Sequence, residues 1–196
     1  MKKICVFCGS SRGNNKIYSE SARKLGDIIV KNNLSLIYGG AKIGLMGELA
    51  NRVMELKGEV IGIMPYFLVK MEVAHTGITR LVKVNSMHER KQIMLREAEG
   101  FIAMPGGSGT MDEIFEMITM GQLNQHKKPC AFLNINGYYD YIDKFLQNAV
   151  AEGFLDKGYR DMIIIENEPE IIIERFMNYS HPDIDKAKIA LKEYAY

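Results

Sequence analysis

Short apolar runs alternate with amphipathic helical stretches from one end of this chain to the other, and that rhythm limits its fold more than any single motif. Strands are predicted at Ile4–Phe7, Leu34–Tyr38, Glu59–Met64, Arg80–Val84, Gly100–Met104, Pro129–Ile135 and Met162–Ile165. Helices are predicted over Lys16–Lys31, Leu45–Leu56, Ser86–Glu99, Thr110–Gln125, Tyr138–Glu152 and Pro169–Tyr179. Tyr66–Thr79 reads as a short helix and a loop, and the polar stretch after Ser180 as a peripheral helix. Strands with few polar residues, each followed by a helix, need cover on both faces, which only a parallel sheet with crossover helices supplies. Right-handed crossovers then give a Rossmann-like, doubly wound α/β fold with helices on both faces of the sheet. No repeat, linker or low-complexity segment divides the 196 residues, so residues 1–196 are expected to form a single nucleotide-binding domain.

The net charge of +1 argues against a nucleic acid polymer as partner, because backbone binding shows as a basic excess. No apolar run is long enough to span a membrane, and the one behind Lys2-Lys3 stops at Cys8-Gly9-Ser10, too short for a secretory leader. The three cysteines are no disulfide framework and point to the cytoplasm. Cys5 and Cys8 have redox spacing, but on a strand residues three apart face opposite ways, so both read as buried strand cysteines.

In a sheet of this kind ligands sit beyond the carboxyl ends of the strands. Four segments share that rim: Gly9–Asn15, Gly39–Gly44, the Asn85-Ser86 junction and Pro105–Thr110. Pro105-Gly106-Gly107-Ser108-Gly109 runs from a strand into a helix opening at Thr110, and free N–H groups beside glycines make a phosphate cradle. Gly9-Ser10-Ser11-Arg12-Gly13 has nucleophile-elbow spacing, yet it follows the first strand with no placed His–acid pair. Its hydroxyl and N–H groups, those of Gly9 and Ser10 included, suit a phosphate or sugar better. The loop containing Gly40 approximates a dinucleotide fingerprint, but Ala41 takes the middle glycine's place and Glu59 would open its strand at the wrong end of the sheet. Ser86 and Glu89 form a capping box, whereas Arg90 and Lys91 put cations in a first turn and imply an anionic partner. Thr110 and Glu113 also have capping spacing, which alone would account for both. Helical geometry sets Glu113 away from the core with Met117 and Met120, an apolar face suited to a second subunit.

Together these residues resemble the LOG (Lonely Guy) family, often labelled lysine decarboxylases. The family's P-G-G-x-G-T-x-x-E stands as Pro105 to Glu113, and S-M-H-x-R-K as Ser86 to Lys91. Cys8-Gly9-Ser10-Ser11, Tyr38-Gly39-Gly40, Gly44-Leu45-Met46-Gly47 and Thr119-x-x-Gln122 leading to Lys128-Pro129 match as well. Relatives usually continue the second loop with another glycine and a small residue, where this chain has Ala41-Lys42. The resemblance implies a cytoplasmic phosphoribohydrolase that cleaves a nucleoside 5′-monophosphate, a cytokinin riboside 5′-monophosphate or AMP, to free base and ribose 5-phosphate. By position, Gly106, Gly107, Gly109 and Thr110, with Ser108 between them, would hold the 5′-phosphate. Met87 and Lys91 would line the nucleotide site, and Arg90 and Glu113 would be the catalytic pair. The resemblance further implies a homodimer with the site near its interface. No metal or other cofactor is expected, and no sequence argument marks a pyridoxal-binding lysine. Asp112, Glu116 and Glu72 are candidates for protonating the leaving base. A nucleotide or cofactor carrier on the same fold, with no catalysis, is the alternative, and a dinucleotide oxidoreductase a more distant one.

Overall fold

The computed structural model describes residues 1–71 and 73–182. Glu72 and the segment after Pro182, and with them one candidate acid and the expected terminal helix, lie outside the described residues. In chain order the elements are β1 (Lys3–Phe7), α1 (Lys16–Lys31), β2 (Ser35–Tyr38), α2 (Gly44–Glu55), β3 (Val60–Pro65), α3 (Tyr66–Lys70), β4 (Arg80–Val84), α4 (Met87–Glu97) and β5 (Phe101–Ala103). There follow α5 (Ser108–Gln122), β6 (Cys130–Leu133), a 3-10 turn (Ile135–Gly137), α6 (Asp140–Ala151), α7 (Lys157–Asp161), β7 (Ile163–Glu166) and α8 (Pro169–Met177). Every predicted strand is present. The short α7 has no sequence expectation behind it, since five residues are too few to show a helical period.

The strands make one parallel sheet in the order β4-β3-β2-β1-β5-β6-β7. Alternation along each strand feeds two cores. Ile4, Val6, Leu36, Tyr38, Ile102 and Leu133 pack against α1, α2 and α8. Cys5, Phe7, Ile37, Ile61, Phe101 and Phe132 pack on the other face against α4, α5 and α6. The sheet is therefore doubly wound. Cys5 and Cys8 fall in different cores, and all three cysteines are free and buried, which leaves no redox pair. Burial also pushes the Cys5 and Cys8 thiols well above their ordinary range, so neither is a thiolate at neutral pH. No helix of the described residues is long and apolar enough to cross a membrane.

Chain order and strand order disagree at one place. The chain winds from β1 out to β4, returns by α4 across the sheet, and resumes at β5 on the far side of β1. The loops leaving β1 and β5 diverge there and open a crevice at the carboxyl edge.

Beside the crevice, two residues beyond the end of β2, Gly40 has a left-handed φ of +83°. It lies against Gly62 of β3, where a Cβ would stand 2.8 Å from the Gly40 Cα and 2.8 Å from Ile78 Cδ1. Backbone cannot yield as a flexible side chain can. Gly62→Ala is expected to destabilise the protein by about 1–3 kcal/mol, read as a lower Tm in thermal unfolding. An unchanged Tm would mean that β2 and β3 separate freely at this point.

Candidate active site

Three loops on the rim are sewn together through backbone. The Gly9 N–H donates to Pro105 O (3.0 Å), and the Leu45 N–H to Gly9 O (3.1 Å) and Ser11 O (3.3 Å). Gly44, at φ +62°, lets the start of α2 approach so closely that a Cβ would overlap the Ser10 backbone. The cavity they border is about 320 Å³, in the range of small-molecule sites. Its wall includes Gly9, Ser10, Met87, Arg90, Gly107, Ser108, Gly109, Thr110 and Glu113, nine residues singled out in the sequence. Lys91, Gly40 and Gly106 do not line it.

The helix after β5 starts earlier than expected. Gly107 is its N-cap and no side chain caps it, so the N–H groups of the first turn are left without intrahelical partners. Thr110 is therefore inside the helix, and the capping-box account of Thr110 and Glu113 does not hold. The glycines of this turn divide into two kinds. Gly106 is demanded by packing, because a Cβ there would collide with the Thr110 hydroxyl and stand 2.9 Å from Gly9 N. Gly107 and Gly109 have ordinary φ, and a Cβ on either would meet nothing within 4 Å. Neither strain nor packing calls for glycine at these two positions. Their bare backbone suits the close approach of a ligand.

One and a half turns further along α5, Glu113 is only 6% exposed and meets the 7% exposed Arg90 of α4, with Nη2 donating to Oε1 at 2.5 Å. This corrects the expectation that Glu113 and Met117 face away from the core. Met117 is fully buried in the same core as Met94 of α4, and Met120 is half-buried. A helical period separates the two faces of α5 but cannot tell that α4 covers the second. Met117 therefore gives no argument for a partner subunit. Burial raises the Glu113 carboxyl above the usual carboxylate range, with Arg90 opposing and Asp112 adding to the rise.

Arg90 is held from three sides. Its Nη1 lies 3.9 Å from Met87 Sδ, and its Nη2 packs on Gly39, where a Cβ would come within 2.8 Å of it and of Met46 Sδ. Its Nε is buried with no hydrogen-bond partner, an unmet donor beside the cavity. The helix carrying Arg90 starts at Ser86, whose hydroxyl accepts from the Glu89 N–H (3.1 Å), while the Glu89 carboxylate reaches back to the Asn85 N–H (2.7 Å). Its neighbour Lys91 turns instead to Asp112 (3.0 Å) and Glu116. The anionic partners implied by two cations in a first turn are thus, within this chain, the carboxylates of α5.

Gly40 points its left-handed turn at β3 and β4, with Leu81 and Met64 in the space a Cβ would take. Ala41 bridges Ala74 and so packs on the loop at residues 73–75, away from the cavity. Of the proposed proton donors, Asp112 lines the cavity, Glu116 is engaged with Lys91, and Glu72 lies outside the described residues. Sequence reasoning missed Val6, Phe7, Cys8, Gly39 and Met46 as wall. Gly39 had a signal, a glycine directly after a strand; the others became wall only through the placement of β1 and α2. Among the described residues no group of three or more His, Cys, Asp or Glu is placed to hold a metal.

A family model described as "Possible lysine decarboxylase" matches residues 46–176. The probable cytokinin riboside 5′-monophosphate phosphoribohydrolase LOGL2 of Oryza sativa subsp. japonica is 39% identical over 97% of this chain and 78% of its own length. The cytokinin riboside 5′-monophosphate phosphoribohydrolase LOG2 of Arabidopsis thaliana is 41% identical over 87% of this chain and 81% of its own. In solved structures the fold recurs in the molybdenum cofactor binding protein of the phototrophic bacterium Rippkaea orientalis, at 20% identity and a TM-score of 0.67 over 91% of this chain and 97% of that one. It recurs also in TM1055, at 24% identity and a TM-score of 0.68 over 91% of this chain and all of that one. A decarboxylase of the pyridoxal type needs a lysine on the cavity wall, and among the described residues none lines it, so the site does not fit that group. The chain belongs to the LOG family, the group of the cytokinin riboside 5′-monophosphate phosphoribohydrolases that the family model describes as possible lysine decarboxylases.

Proposed function

We propose that this protein hydrolyses the N-glycosidic bond of a nucleoside 5′-monophosphate, a cytokinin riboside 5′-monophosphate or AMP, releasing the free base and ribose 5-phosphate. The observation that carries the reading is the meeting, in one cavity, of an uncapped helix start with open glycines and a buried Arg90–Glu113 pair. The 5′-phosphate sits on the first turn of α5, with Gly107, Ser108, Gly109 and Thr110 around it and Gly9 and Ser10 across the crevice. That places the sugar toward Glu113. Breaking the bond between C1′ and the base nitrogen leaves positive charge on the ribose ring, and a carboxylate at that carbon stabilises it. Water adds its oxygen to C1′ and loses a proton to Glu113, while the base nitrogen leaves with the bonding electrons and takes up a proton. Of the three candidate acids, Asp112 is the one on the described wall, where it pairs with Lys91. Arg90 keeps Glu113 ionised against burial and offers its free Nε to a substrate oxygen.

The resemblance adds a homodimer with the site near its interface, and Met87, 36% exposed on the cavity wall, leaves an apolar edge for a second subunit. Three free cysteines are in keeping with the reducing cytoplasm.

Incubation of the purified protein with AMP, other nucleoside monophosphates and isopentenyl-AMP, with ribose 5-phosphate assayed, is expected to show release. No release from any of them refutes the hydrolase. Glu113→Gln is expected to cut kcat by about 10²–10⁴-fold with AMP still bound; a carrier that only holds the nucleotide would release nothing and be indifferent to the change.

The pH dependence follows from the direction of the Glu113 shift. The active form is the ionised carboxylate, and a raised pKa protonates it sooner as pH falls. The acid limb of kcat/KM should therefore lie above the ordinary glutamate value of about 4.3. A limb at or below that value removes Glu113 as the base. Gly39→Ala, which forces a Cβ onto Arg90 Nη2, is expected to lower kcat roughly 10–100-fold. Met46→Ala in the same chain relieves only the sulfur contact and should not restore it; restoration would move the effect from Arg90 to Met46.

A further inference from the structure

Behind the phosphate cradle, on the side away from Glu113, stands a pair of consecutive tyrosines that no step of the reaction uses. The turn after β6 sets them side by side. Asn136 and Gly137 take left-handed φ (53° and 71°), and the Asn134 side chain accepts from the Tyr139 N–H (2.7 Å) and donates to Asp140 Oδ1 (2.8 Å). The two rings stand nearly perpendicular, with Tyr139 against Phe132 (4.8 Å between centroids) and Tyr138 against Tyr18 (5.9 Å). The Tyr139 hydroxyl donates to Met104 O (2.6 Å) and the Tyr138 hydroxyl to Gly106 O (2.7 Å). Pro105 O, between them, accepts from Gly9. Three successive carbonyls leading into the cradle are thus each tied to a donor.

We propose that Tyr138 and Tyr139 are positioning residues that lock the peptide planes of the cradle for phosphate, an inference that rests on the phosphate reading given above. A trans peptide is planar, so its C=O and N–H point opposite ways. With Gly106 O drawn to Tyr138, the Gly107 N–H is turned away from Tyr138; Gly107 itself borders both the reaction cavity and a second cavity that Tyr138 also lines. The lock matters because Gly106 and Gly107 lack side chains to hold the plane. Rotation of that peptide would put a carbonyl oxygen where the anion sits and remove an N–H from it. Tyr138 is 42% exposed, so its hydroxyl is not needed for the core. Tyr139 is buried and fixes the start of the same loop.

Tyr138→Phe keeps both ring contacts and removes only the hydroxyl. The KM for AMP and the Kd for inorganic phosphate, measured by calorimetry, are expected to rise together by about 5–10-fold, the scale of one hydrogen bond. The variant's kcat should stay within about twofold, with Tm and inhibition by adenosine, which has no phosphate, unchanged. Unchanged phosphate affinity, or adenosine weakened as much as phosphate, overturns the lock. If the wild-type protein binds phosphate but does not cleave AMP, the hydrolase reading fails while the phosphate measurement still decides the lock. A wild-type protein that binds no phosphate overturns the lock, while the release of ribose 5-phosphate still decides the hydrolase.

Discussion

Parallel strands cannot be joined by tight hairpins, so each needs a crossover, and each crossover must lie on one face of the sheet or the other. In this protein the chain spends its first crossovers moving outward from β1, then carries α4 back over the sheet and continues on the other side. The site depends on that single reversal. It separates the loops after β1 and β5, opens the rim between them, and delivers the N-terminal turn of α4 beside the N-terminal turn of α5. Arg90 and Glu113, which are 23 residues apart, meet for no other reason.

A buried ion pair is weak evidence for stability, because removing two charges from water offsets much of their attraction. In the proposed reaction what this pair supplies is chemical: burial disfavours the ionised Glu113 carboxylate and raises its pKa, and Arg90 opposes that rise. The surroundings serve the same end. Gly39 and Met46 fill the space beside the guanidinium, and the unpartnered Nε is a cost that a bound oxygen would remove. In the proposed reaction the phosphate end works by backbone instead of charge. Its open glycines expose N–H groups, and the carbonyls are held away by Gly9, Tyr138 and Tyr139.

Much of this was legible beforehand, because strand and helix periods are local. The alternation of Ile4, Val6 and Leu36 with Cys5 and Ile37 already implies cover on both faces, and it is found there. The strand–glycine–helix run at Pro105–Thr110 likewise carries its own reading as an anion site. Errors arose where an answer depended on which neighbour packs on a given face. Thr110–Glu113 has the spacing of a cap, yet the helix starts at Ser108. Met117 looks exposed on a helical wheel, yet it is fully buried in the core that α4 shares. Tyr138 and Tyr139 fit no motif, since their partners are backbone carbonyls more than thirty residues earlier.

The sequence by itself determined the elements, their parallel arrangement, and several residues of the rim that border the cavity. These follow from periodicity and from the conformational freedom of glycine, which act within a few residues. Tertiary structure decided which side of α5 is interior, that Arg90 and not Lys91 reaches the cavity, and that Ala41 turns to Ala74. Those outcomes depend on contacts between distant segments. The distances, the burial and the shift of Glu113 exist only once the sheet has brought α4 and α5 together.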